Sequence, residues 1–319
     1  ERRDAVAGGI DIVHLTGPGL DVIGCGEPAI PGVSFGHNEV AGFALTIFPM
    51  DQSDLYVYET KPGDPDLYRF GDGWERMTTI RERVRVRSVT DQPVELKFTR
   101  HGPVVKQDRQ NNRAYAIRSV WSEPGTAAYY TSLACMQAKT PEQYADAVAH
   151  WKAPTINHVY ADTTGNIAWM SSGLVPFRRN FDGLLPVPGD GRYEWDGFVA
   201  PTDLPREINP ERGFFATANE MNLPPDFPID ERRVGFEWSE HSRTNRIHQV
   251  LSEQEAHTVE QSMKLQTDSM SLPGLRVQQV IAHLTGAGDL AGALELLRGW
   301  DGTLTRDSGP GALFELWWT

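Results

Sequence analysis

The chain has 319 residues, 39% of them aliphatic or aromatic, with nine Trp, thirteen Phe and nine Tyr, so it has apolar area for a large core and no signature of disorder. Forty-three acidic residues against thirty basic ones leave a formal charge of −13, which repels nucleic-acid backbones and anionic membranes and excludes both as expected partners. Cys25 and Cys135 are the only cysteines, too few for a disulfide framework or a zinc knuckle, and no apolar run approaches the roughly eighteen residues of a membrane span.

From residue 9 to about 122 the sequence predicts strand after strand, bounded by Gly, Pro and Asp turns: "IDIVHLTG", "VSFGHNEVAGFALTIF", "DLYVYE", "WERMTTIRERVRVRSV", "VELKFTRHGPVV" and "AYAIRSVW". In "RERVRVRS", Arg83, Arg85 and Arg87 alternate with Val84 and Val86, the pattern of a half-buried strand with a solvated arginine face. A helical stretch follows. Its second part opens on Thr140, Pro141 and Gln143, a capping box with proline at the first helical position, and Tyr144, Ala147, Val148 and Trp151 mark its buried face. In "INHVYADTTGNIAWMSSGLVPF" the turn "DTTGN" joins two alternating runs into a hairpin. Residues 180 to 230 read as long ordered loops around a short strand "GFFATAN". After Ser242 the pattern is helical, with Thr258 and Gln261 as a second capping box. Sheets first and helices last predict an α+β layered fold, with a β-rich part over 1–245 and a helical part over 246–319. The chain opens on Glu1 without Met and stops inside an apolar helical pattern, as expected of a chain cut at both ends.

Several short stretches carry possible chemistry. "GVSFG" around Ser34 has the spacing of a nucleophile elbow, which needs a strand entering the turn and a helix leaving it. The approach "GEPAIPG" holds two prolines and the exit "HNEVAGFALTIFP" is a continuous strand-like run, so the context argues against Ser34. By alternation Val33, Phe35 and His37 share one strand face, opposite Ser34. Asp51 and Asp54 lie three apart in a turn, where oxygen ligands can converge on calcium or simply bond the local backbone. His101 and His158 sit in strands as structural histidines. Asn219, in "FFATANEMN", can point an amide N–H at a developing oxyanion or form an Asx turn.

Taken together, "DIVHLTGPGLDVIG", "IPGVSFGHNEVAGFALTIFPMDQSDLYVYE", "FTRHGPVV", "INHVYADTTGNIAWMSSGLVPFR", "LLPVPGDGRYEWDG" and "GFFATANEMN" resemble, in order, the β chain of the penicillin acylase family of N-terminal-nucleophile amidohydrolases. The likeness spreads over residues 10 to about 285. Where the family often has Ala-Trp-Gly, this chain has Gly42, Phe43 and Ala44, which alters the expected pocket shape. The resemblance implies a four-layer αββα sandwich, incomplete at both ends, and a nucleophilic Ser at the N-terminus of the β chain, which would precede Glu1. It further implies hydrolysis of a carbon–nitrogen amide bond in a small N-acyl substrate. It assigns the oxyanion donors to the backbone N–H of Ile47 and the amide of Asn219, and makes Arg243 the arginine that supports the nucleophile's surroundings. A helix-start ion pair with Glu240 is the alternative role for Arg243. The same likeness puts Phe35 and Leu45 in the acyl pocket. It places calcium on Asp51, the Ser53 carbonyl, Asp54, the Gly183 carbonyl and Asp230, with a further Glu from a separate α chain of the same precursor. A periplasmic or secreted location also follows from the family. Two other readings stand beside it: a non-catalytic fragment or binding remnant of the same fold, and an α/β-hydrolase esterase using Ser34.

Overall fold

The structure is a computed structural model that describes residues 12–26, 31–126, 130–253, 256–286 and 288–318. The beginning of the first expected strand, Ile10 and Asp11, and Pro28 in the approach to Ser34 lie outside the described residues. Two compact units emerge, one from the chain up to Phe215 together with Asn222–Trp238, the other from Ala216–Met221 and Ser239–Thr319. The division therefore comes seven residues before the sequence boundary at 245, and the "ATANEM" segment goes with the helices. Hydrogen bonds from Ser239 and Arg243 to this segment explain the exchange.

The first unit starts with the strands β1 (Ile12–Gly17), β2 (Leu20–Cys25), β3 (Phe35–Asn38) and β4 (Ala41–Ile47). The β3–β4 turn is made by Asn38, whose Oδ1 accepts from the N–H groups of Val40 (2.9 Å) and Ala41 (2.8 Å). Next come β5 (Ser53–Lys61), β6 (Asp64–Phe70), β7 (Gly73–Arg76), β8 (Thr78–Val84), β9 (Gln92–Thr99), β10 (Gly102–Asp108) and β11 (Arg113–Ser119). Two helices follow, α1 (Thr131–Cys135) and α2 (Pro141–Val148), then β12 (Ile156–Asp162), β13 (Ile167–Ser172), β14 (Pro176–Arg178), β15 (Val187–Pro188), β16 (Trp195–Phe198) and β17 (Arg206–Ile208).

One sheet runs β1-β2-β3-β4-β12-β13-β17, and a second runs β7-β6-β5-β11-β10-β9-β8 with β15 pairing in parallel to β5. The predicted hairpin is β12–β13: Asp162 Oδ1 accepts from Thr164 and Asn166 N–H, and Gly165 takes the positive φ of +95° that the turn requires. On one face of the first sheet Phe43, Tyr160, Ala168 and Met170 pack with Tyr144, Ala147 and Val148 of α2, which forms the buried helix stripe read from spacing. The opposite face brings Trp169 against Phe48, Met50, Val175, Leu204 and Val234. Tyr56, Tyr58, Tyr68, Ala114 and Ala116 make the core of the second sheet.

The second unit contains α3 (Ser242–Ser252), α4 (Val259–Gln266), α5 (Leu272–Ile281), α6 (Asp289–Arg298) and α7 (Gly309–Trp318). Thr258 and Gln261 close the expected capping box on α4. At α2 only half the box forms, because Gln143 reaches one residue further, to Lys139 N–H. Among the described residues no helix is long and apolar enough to cross a membrane.

Three local expectations are corrected. The strand predicted through "RERVRVRS" ends at Val84 and has no buried face: Val84 and Val86 are 50% and 41% exposed, because β8 is a sheet edge and basic residues there discourage further pairing. "GFFATAN" forms no strand, since Asn219 adopts φ +65° and the segment bonds to Ser239 and Arg243 in place of a neighbouring strand. Val33 and Phe35, expected on one strand face, join different apolar clusters. The chain reaches strand geometry only at Phe35, so Val33 packs over Gly24 and Gly36 in the cluster beneath the helices, while Phe35 joins a different cluster.

Candidate active site

Ser34 sits between two strands, β2 and β3, with no helix leaving the turn, so the geometry that exposes an elbow nucleophile is missing. Its side chain is buried, and its Oγ has no hydrogen-bond partner among the described residues.

Phe35 packs against a small cluster of Leu45, Trp151 and Ile156, so the two residues expected to wall an acyl pocket lie in one apolar group. Trp151 and Ile156 complete this group. Trp151 had been read only as helix core, and the register Ile156↔Ile47 that brings β12 to this wall is a tertiary fact.

Ile47 is the last residue of β4, at the point where the chain leaves the first sheet, and its side chain is 62% exposed. The peptide that follows it is clamped from below. Asn157 of β12, fully buried, donates from Nδ2 to Ile47 O (3.3 Å) and Thr46 Oγ1 (3.1 Å), while its Oδ1 accepts from Trp169 Nε1 (2.7 Å) and Asn222 Nδ2 (3.2 Å). An amide held at both ends cannot flip, which fixes the Ile47 carbonyl and with it the local peptide orientation. The reading of "INHVY" singled out His158 and passed over Asn157. A buried Asn within a strand is itself a signal, because it must find several partners.

The neighbouring His158 is a core residue. Its Nδ1 shares a hydrogen with the Tyr144 hydroxyl (3.1 Å) and its Nε2 with Ser172 Oγ (2.9 Å); burial alone pushes its pKa down to about 3. In the second sheet His101 is bonded by the Tyr58 hydroxyl and by Glu194 Oε1 at 2.8 Å, with burial lowering its pKa against the pull of Glu194. Both histidines hold their strands together, as expected of structural rings. Cys25 and Cys135 are free thiols, and burial raises that of Cys135 to about 12.

Of the expected metal residues, Asp51, Ser53, Asp54 and Gly183 fall near one another but do not form an open oxygen cage. The guanidinium of Arg178 bridges Asp51 Oδ2 and Asp54 Oδ2, Ser53 N–H donates to Asp51 Oδ1 at 3.2 Å, and Gly183 abuts Asp51. Asp230 is 94% exposed and pairs with Arg233 at 3.4 Å. Among the described residues no three His, Cys, Asp or Glu side chains are gathered as a metal would require. The donors as arranged fit an arginine and do not fit a calcium ion.

In the helical unit, Arg243 in the first turn of α3 turns away from Glu240. Its Nη2 donates to Asn219 Oδ1 (3.0 Å), Ser239 Oγ (3.3 Å) and the Ala218 carbonyl, while Glu240 accepts at 2.7 Å from the N–H of Ser242, the first residue of the helix. Ser239 N–H donates to Asn219 O at 2.9 Å, and Glu220, 2% exposed, accepts from Ala218 N–H at 2.6 Å. Asn219 is thus held in a left-handed conformation that costs a non-glycine residue energy unless its surroundings enforce it. The Arg243 bond fixes which end of the Asn219 amide is Oδ1, and so the orientation of the whole amide plane. Glu220 was missed because a carboxylate bonding the backbone two residues earlier leaves no periodic mark.

The family model described as penicillin amidase matches residues 11–319. Penicillin G acylase of Escherichia coli is 30% identical over 96% of this chain and 38% of its own length, and the acyl-homoserine lactone acylase QuiP of Pseudomonas aeruginosa is 29% identical over 95% and 38%. The chain thus spans about 38% of the length of these relatives. Among solved structures, a thermostable penicillin G acylase from Alcaligenes faecalis superimposes with a TM-score of 0.80 at 26% identity, covering 93% of this chain and 54% of that one. That likeness supports the α+β, N-terminal-nucleophile hydrolase fold read from the sequence. The chain belongs to the penicillin amidase family.

Proposed function

We propose that the protein of which this chain is part hydrolyses the amide bond of a small N-acylated substrate, through an acyl-enzyme on an N-terminal Ser that lies outside the chain and beside a separate α chain from the same precursor. The observation that carries the reading is the lock on Asn219, whose carbonyl oxygen is fixed by Arg243 so that the N–H end is preset. A preset donor lowers a barrier because it needs no reorganisation when the oxyanion forms.

In this reading the serine Oγ attacks the amide carbon while its own α-amino group, with an ordinary pKa near 8, takes the proton. By the family resemblance the oxyanion accepts from a backbone N–H and a side-chain amide, the roles that the sequence assigns to Ile47 and Asn219. Collapse breaks the C–N bond, the amine leaves with the proton, and water then attacks the acyl-enzyme by the same route. Leu45, Trp151 and Ile156, with Phe35 against them, offer an apolar wall that favours an apolar acyl group. Penicillins and acyl-homoserine lactones, named for the relatives, are the first substrates to try.

The test is amine release by the full-length, processed protein from phenylacetyl amides, penicillins and acyl-homoserine lactones of graded chain length. Asn219→Ala should lower kcat by about 10²–10³ with the folded spectrum unchanged. Release of amine from none of these classes, or an Asn219→Ala variant of full activity, would defeat the proposal.

A further inference from the structure

The two carboxylates that the family resemblance gives to calcium are already held by a cation of the chain itself. Arg178 ends β14 and its side chain is only 4% exposed. Its Nε donates to Asp54 Oδ2 at 2.8 Å and its Nη2 to Asp51 Oδ2 at 3.1 Å. Trp195, paired with Arg178 across β14–β16, adds its indole N–H to the same Asp54 oxygen. The remaining Asp51 oxygen closes a turn on Ser53 N–H. Gly183, at φ +88°, lies so close that a Cβ there would stand 2.7 Å from Asp51 Oδ2 and 2.8 Å from the Arg178 guanidinium carbon. A side chain at 183 is excluded by the guanidinium as well as by the backbone conformation.

A calcium ion needs six to eight oxygens converging at about 2.3–2.6 Å on one point. Here the oxygens converge on a planar guanidinium, whose charge and fork of N–H groups suit two carboxylates. A second positive centre a few ångströms away would be repelled strongly in a buried site. Asp230, the distant member of the expected ligand set, is committed to Arg233 and to solvent.

We propose that Arg178 is the resident cation of the Asp51–Asp54 pair. Its guanidinium ties the entry of β5 to β14 and to the Gly183 loop, and a divalent cation can use these carboxylates only when that guanidinium is removed. One guanidinium does not balance two carboxylates, and Asp54 Oδ1 is buried without a hydrogen-bond partner among the described residues. Once Arg178 is gone the two carboxylates, Asp54 buried and Asp51 partly exposed, are left without a counter-charge, which is unfavourable and turns the pair into a metal site.

Terbium luminescence and thermal unfolding of the full-length protein test the proposal without any substrate, so they succeed or fail independently of the amide-hydrolase reading. Trp195, bonded to Asp54, is placed to sensitise a terbium ion at this position. The wild-type protein should show no sensitised emission saturating below ~1 mM terbium, the weak end of protein calcium sites, and the same Tm in EDTA as in calcium. Arg178→Gln should lower the Tm in EDTA, regain part of it with calcium, and acquire terbium emission that calcium displaces at least tenfold more readily than any seen in wild type. Should Arg178→Gln fail to fold, Arg178→Lys, which keeps the charge but not the fork, must fold with a lowered Tm that calcium leaves unchanged. Wild-type emission saturating at micromolar terbium, or a wild-type Tm that falls in EDTA, overturns the proposal.

Discussion

Acid should destabilise the sheet unit through His158, and the size of the effect follows from its surroundings. The ring is 2% exposed, lies edge-on to Trp151 at 5.3 Å, and among the described residues has only the hydroxyls of Tyr144 and Ser172 as hydrogen-bond partners. No carboxylate contributes to its shift, so desolvation alone drives the pKa from 6.5 to about 3. In the unfolded chain the ring titrates normally, and between these two values the unfolded state binds more protons than the folded one. Stability from this group is therefore complete above pH 6.5 and is lost as pH falls toward 3, at up to ~1.4 kcal/mol per pH unit. Two units below 6.5, at pH 4.5, the loss reaches roughly 2.7 kcal/mol. His158→Gln removes the titration while keeping an acceptor for Tyr144 and a donor for Ser172. Denaturant unfolding of both proteins from pH 7.5 to 4.5, followed by tryptophan fluorescence, gives the difference in stability at each pH. His101 and the carboxylates titrate in both and cancel. The variant should lose less stability than wild type on acidification, by about 2–3 kcal/mol at pH 4.5. Two curves that stay parallel would refute the assignment of an uncompensated neutral imidazole.

Two other substitutions probe the geometry. Asn157→Ala removes the acceptor shared by Trp169 and Asn222 and the donor to Ile47 and Thr46; chemical denaturation should show a loss of about 2 kcal/mol or more, and kcat should fall more than KM rises if the end of β4, which carries the Ile47 N–H, positions an oxyanion donor. Gly36→Ala places a Cβ 2.3 Å from the Ile23 carbonyl oxygen and 2.8 Å from Val33 Cγ1, so β2 and β3 must part and stability should drop by about 1–3 kcal/mol; an unchanged Tm would mean the strands are not paired in this register.

The sequence by itself determined what depends on local chemistry and on ordered motifs. The strand-then-helix order, the α2 stripe of Tyr144, Ala147 and Val148, the Asp162 hairpin and the Thr258 capping box are local and appear where spacing put them. Family membership was equally legible, because it rests on several segments in a fixed order and not on one motif. Period-two alternation failed at "RERVRVRS" because it shows that a strand has two faces but not whether another layer covers either. Only the tertiary structure decided that Asn157 clamps the Ile47 peptide, that Arg243 selects the Asn219 amide over Glu240, and that Arg178, 124 residues from Asp54, supplies the cation. Each of these is a choice among hydrogen-bonding partners far apart in the chain. Sequence spacing carries no information about such a choice until the sheets bring the partners together.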